Sequence, residues 1–153
     1  MSRDWRLYWR DIIVCCQKVQ TYVGTMDLAA FKADERSYDA VVRNLELIGE
    51  AAKALTPDAR ALAPEIEWRK IAGMRDVLAH GYFGIKDEFL WDVITTKVPE
   101  LLAAMEHVNI QGRDGRQGRR RVQHSGHGVS VVGWRYEHSD PSPHDRRRVP
   151  RLG

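Results

Sequence analysis

The sequence predicts an all-α fold, an up-down antiparallel helical bundle of four to five helices over residues 1–110. Apolar residues there recur at three- and four-residue steps, the period of a helix that buries one face. No run in this span alternates apolar and polar positions as a half-buried strand would. Short connections between the periodic segments favour antiparallel neighbours.

The first segment carries Trp5, Tyr8, Ile12, Cys15 or Cys16, Val19 and Tyr22, and Gly24 ends it. In the second, Tyr38, Val41, Leu45, Ile48, Ala52 and Leu55 form a stripe, with Ser37 as the expected N-cap. Thr56-Pro57 closes it, because a residue before proline disfavours helix. After Pro64 a third helix is expected from about Glu67 to His80. Trp68, Ile71, Ala72, Met74 or Arg75, and Leu78 point inward, and Gly81 occupies the C′ position. The fourth segment carries Phe89, Leu90, Val93, Ile94, Val98, Leu101, Leu102, Met105 and Val108. Pro99 should kink or restart it.

The remainder, residues 111–153, is different material, rich in Arg, Gly, Ser, His and Pro, and is expected to be disordered. The net charge of +3 divides unevenly: this tail holds 10 Arg, no Lys and 4 acids, so residues 1–110 are net negative. A general argument from basic charge to nucleic-acid binding therefore fails, and any RNA contact by the bundle needs a local patch. The tail reads either as an arginine-rich arm that binds RNA or as an unselected extension, such as a frameshifted end. Ten arginines without a lysine, against 8 Arg and 6 Lys before it, favour the extension. Its histidines, His124, His127, His138 and His144, lack zinc-site spacing and cysteine partners, so no metal and no cofactor are expected. No stretch approaches the roughly 20 apolar residues of a membrane span. The adjacent Cys15 and Cys16 form no disulfide framework. With an N-terminus that shows no secretory pattern, a cytoplasmic location is expected.

One short run carries chemistry: Arg75-Asp76-Val77-Leu78-Ala79-His80-Gly81-Tyr82. It places a permanently charged phosphate binder, a proton carrier and a phenol within one helix end and the loop after it. Five steps put Arg75 and His80 about 140° apart on an ideal helix. A working site therefore needs the helix to unwind at Gly81, Arg75 to reach round, or a second subunit to add its own pair. Asp76 and His80, four apart, share a face, so the carboxylate is expected to hold the imidazole in one tautomer. Trp68 and Trp91 read as core rather than stacking platforms, and the cysteines as packing.

Several runs together resemble the HepT-like family of the HEPN superfamily. Arg43-Asn44-Leu45-Glu46-Leu47-Ile48-Gly49-Glu50-Ala51-Ala52-Lys53 is similar to the family's second-helix signature. The run from Pro64 to Ile85 is similar to its third helix and following loop, and Trp91-Asp92 and Leu101-Leu102 continue the likeness. The resemblance covers residues 3–109. It implies a HEPN-like bundle acting as a homodimeric ribonuclease toxin. The catalytic pair carries over to Arg75 and His80. Asp76 stands where the family often has Asn, as a supporting residue. The cognate antitoxin is a minimal nucleotidyltransferase that can adenylylate the tyrosine matching Tyr82. RNA, messenger or transfer, is the implied substrate, cut without a metal. A non-catalytic helical partner, or the substrate-binding subunit of such a nucleotidyltransferase, is the alternative.

Overall fold

A computed structural model describes residues 3–80 and 85–110. The expected C′ glycine Gly81, Tyr82 and the whole of residues 111–153 lie outside the described residues. The described chain is an all-helical, up-down bundle, as expected. Its elements are α1 (Trp5–Val23), α2 (Leu28–Ala33), α3 (Glu35–Ala54), α4 (Pro57–Arg60), α5 (Trp68–His80), α6 (Asp87–Asp92), a π-helical turn (Val93–Lys97) and α7 (Val98–Glu106). The long helix α3 lies at the centre, with α1 against one side and α5 against the other; α7 packs on α1, and α2 on α3.

The buried face of α1 is rotated from the expected stripe. Trp9, Ile12, Cys16 and Val19 have no exposed surface and Val23 is buried, whereas Tyr22 is 37% exposed. Both stripes fit a helical period; the tertiary packing of the Trp9 indole on Trp68, with ring centroids 5.7 Å apart, selects between them. Gly24 closes α1 with φ at 52°, where a side chain would be strained, and its amide donates to the Gln20 carbonyl. Burial pushes the Cys16 thiol up to about 12, consistent with the cysteines serving as packing.

The expected N-cap of α3 is corrected. Asp34, not Ser37, caps the helix: its Oδ1 accepts from the Ser37 amide at 3.2 Å and its Oδ2 from the Ser37 hydroxyl at 2.8 Å. Ser37 is itself the donor to the cap. Buried residues cover two faces of α3, since the helix is packed from both sides: Val41, Leu45, Ile48 and Ala52 with Val42, Asn44 and Gly49. The buried Asn44 amide donates back to the Ala40 carbonyl at 2.8 Å. Two short helices escaped the periodicity reading. Asp27 caps α2 and Thr56 caps α4, each accepting from an amide three residues on. A helix of four or six residues is too short to show a period.

Trp68 opens α5 as a core residue, its indole N–H shared between the Arg60 and Ala63 carbonyls at 3.0 and 3.1 Å. Trp91 packs on Phe31 with centroids 5.6 Å apart. Before Pro99 the helix widens: the Val98 amide reaches five residues back to the Val93 carbonyl, and α7 restarts with proline in its first turn. Proline removes a donor and crowds the carbonyl four residues earlier, and the π turn absorbs that conflict.

The hydrogen bonds from Ser37 hold the Asp34 carboxyl below its ordinary value of 3.8. A carboxyl lowered by folding stabilises above its unfolded value and loses that effect as pH falls through the folded one. Asp34→Ala should therefore lower the urea midpoint near neutral pH. The gap from the unsubstituted protein should close as pH drops below about 3.8, read by circular dichroism.

Candidate functional site

The site is assembled at the crossing of α3 and α5. Ile71, Met74 and Leu78 are each 1% exposed, and burying such side chains contributes about 1.5–3 kcal/mol apiece. This buried stripe fixes the rotation of α5, and so decides where Arg75, Asp76 and His80 point. Of the two inward candidates, Met74 takes the core and Arg75 sits half-buried at the edge of the crossing.

The crossing is tight because α3 has a glycine there. A Cβ on Gly49 would lie 2.8 Å from the Arg75 Cβ, 3.0 Å from the Arg75 amide nitrogen and 3.2 Å from the Ile71 carbonyl. Real side chains do not approach that closely. The next residue on α3 then meets the arginine: Glu50 Oε1 accepts from Arg75 Nε at 3.0 Å. Arg75 Nη1 also stands 3.6 Å from Asp76 Oδ1, an ion-pair distance too long for a hydrogen bond.

His80 ends α5 and is exposed. Its Nδ1 lies 3.0 Å from the backbone carbonyl of Asp76. A carbonyl only accepts, so Nδ1 carries the hydrogen and the neutral ring presents Nε2 as its acceptor. The expected role of the Asp76 carboxylate is thus corrected. The aspartate does orient the imidazole, but through its main chain; its side chain turns to Arg75. The reason is local: the imidazole four residues on lies one turn above the Asp76 carbonyl, whose second lone pair can take its hydrogen.

The structure therefore ties Arg75 to Glu50 and Asp76, and His80 to the Asp76 main chain; Tyr82 is outside the described residues. Glu50 is the residue that sequence reading missed. It sits inside the Arg43–Lys53 run, but its partner is 25 positions away and helical spacing carries no trace of the contact. Glu50 also lines a groove of about 380 Å³ with Tyr8, Val14, Lys18 and Leu47. Among the described residues no three His, Cys, Asp or Glu side chains gather as a metal site. No helix among them is long and apolar enough to cross a membrane.

An all-helical bundle that carries an arginine at the crossing of two helices and a histidine at the end of one of them is the class of protein defined here. The family described as Ribonuclease HepT-like matches residues 12–108, and the chain belongs to it. The chain is 36% identical over 106 residues to the probable ribonuclease HepT of Thermococcus cleftensis, covering 69% of this chain and 96% of that protein. A protein of Methanocaldococcus jannaschii that bears the name RNase is 35% identical over 115 residues, covering 74% and 95%. Another, also named RNase, from Caldanaerobacter subterraneus subsp. tengcongensis is 38% identical over 96 residues, covering 63% and 86%. No solved structure matches the chain.

The tight crossing makes a clear expectation. Replacing Gly49 by alanine favours helix by about 1 kcal/mol, but overpacking a helix contact costs about 1–3 kcal/mol. Gly49→Ala should therefore lower stability by a net ~1 kcal/mol, and Gly49→Val by more, because a β-branched side chain is bulkier at the same point. Denaturant midpoints of the three proteins check this.

Proposed function

We propose that the protein is a metal-independent endoribonuclease that cuts messenger or transfer RNA, acting as the toxin of a toxin–antitoxin pair in the cytoplasm. Membership of the HepT-like ribonuclease family supports the ribonuclease reading. The observation that carries the mechanism is the bond from His80 Nδ1 to the Asp76 carbonyl, because it sets Nε2 as the proton acceptor.

In this mechanism the RNA 2′-hydroxyl attacks its own 3′-phosphorus, so the nucleophile is part of the substrate. His80 Nε2 takes the hydroxyl proton as the new P–O bond forms. Arg75 directs paired donors at the oxygens of the phosphorane, whose charge grows in the transition state. The P–O5′ bond breaks and the leaving oxygen takes the proton that His80 Nε2 had accepted, giving a 2′,3′-cyclic phosphate, a 5′-hydroxyl and the neutral imidazole again. Since Arg75 and His80 lie about 140° apart on α5, a homodimer in which a second subunit adds its own pair is the arrangement we favour.

His80→Ala should lower cleavage by about 10²–10⁴-fold, the usual worth of a general base. Mass spectrometry of the products should find 2′,3′-cyclic phosphate ends, and chelators should leave the rate unchanged. Cleavage of an all-deoxy substrate at a comparable rate would overturn the mechanism. Equal growth of cells expressing the unsubstituted and His80→Ala chains, with intact RNA in both, would favour the non-catalytic helical partner instead.

Control by a minimal nucleotidyltransferase antitoxin that adenylylates Tyr82 belongs to the same proposal. An adenylyl group adds negative charge and a bulky base two residues from His80, and both compete with RNA for the site. The full chain co-expressed with such an enzyme should gain one adenylyl mass on Tyr82, and Tyr82→Phe should stay unmodified and toxic. Restored growth with Tyr82 unmodified would remove this switch from the account.

A further inference from the structure

We infer that Glu50 is a positioning residue for RNA cleavage: it holds the Arg75 guanidinium so that its two terminal nitrogens face the phosphate. The inference rests on the reading of Arg75 as the phosphate-binding arginine. Three observations lead to it. Gly49 lets the α5 backbone approach α3 at Arg75 itself, so the root of the side chain is fixed. Glu50 follows directly, and its Oε1 takes the Nε hydrogen at 3.0 Å. Both side chains remain partly open, 38% exposed for Arg75 and 43% for Glu50, so the arginine is held without being sealed off.

The chemistry of the guanidinium makes the contact directional. Its hydrogens form two edges that can grip a phosphate, one using Nε and one using both Nη atoms. Glu50 occupies Nε and leaves the end-on Nη edge. Asp76 stands 3.6 Å from Nη1, too far to hold it by a hydrogen bond. A free arginine side chain has many rotamers, and a misplaced donor loses much of its effect on a transition state. As a plain ion pair, a contact this exposed adds little to stability, because solvent screens it. Its cross-helix placement on Nε makes sense as orientation.

The test uses the full chain and a fluorophore–quencher RNA oligonucleotide containing every dinucleotide step. Glu50→Ala should lower kcat by about tenfold with KM within about twofold, the pattern of an interaction made in the transition state. Its melting temperature should stay close to that of the unsubstituted protein. Glu50→Gln keeps an acceptor for Nε and should recover most of the rate. Lysine has no Nε–H and no fork, so in an Arg75→Lys background Glu50→Ala should change kcat by less than about twofold. Equal losses from Glu50→Ala in both backgrounds, or a Glu50→Gln rate as low as that of Glu50→Ala, would overturn the positioning role. Normal turnover by Arg75→Lys alone would instead overturn the assignment of Arg75, and the two failures are distinct.

Discussion

The near-contact of α3 and α5 at Gly49 governs the arrangement of the site. Helices normally pack with axes 8–10 Å apart, a spacing set by the side chains between them. With no side chain at Gly49, the Arg75 backbone sits against α3, and the Cβ of any other residue would lie 2.8 Å from that of Arg75. That approach brings Glu50 within hydrogen-bond reach of the arginine. Ile71, Met74 and Leu78, buried on the adjoining part of the same face, fix the rotation of α5. The histidine five residues on from Arg75 is then carried to the helix end, where its Nδ1–H reaches back one turn to the Asp76 carbonyl.

Most of the bundle was legible because helical periodicity is a strong signal over long segments. The stripes of α3 and α5 and the restart at Pro99 follow from it and from proline's missing donor. What was not legible has physical causes. The rotation of α1 depended on which of two overlapping stripes met Trp68, a tertiary contact. The cap of α3 was misassigned because Asp34 and Ser37 are both good caps and only the backbone decides which precedes the first turn. At the site, Arg75, Asp76 and His80 were visible as a motif. The direction of the Asp76 side chain was not, since a carboxylate can reach either a neighbouring arginine or a histidine one turn on. Glu50 was invisible as a partner because spatial contact between two helices leaves no spacing within either.

The charge at the described site bears on how it can engage RNA. Arg75 has carboxylates at 3.0 and 3.6 Å, so with neutral imidazole the local balance is one cation against two anions. Residues 1–110 are net negative as well. A polyanion gains most of its affinity from phosphate contacts, and one such arginine offers little. In the proposed homodimer both the guanidinium groups and their carboxylates double, so a second subunit would add donors to the phosphate without making the site more positive. In the proposed mechanism the Glu50 carboxylate sets where the arginine points, and the growing charge of the phosphorane decides how strongly it is used. A site tuned this way binds its ground state weakly and reserves its strongest interaction for the transition state, which is the condition for raising turnover rather than affinity.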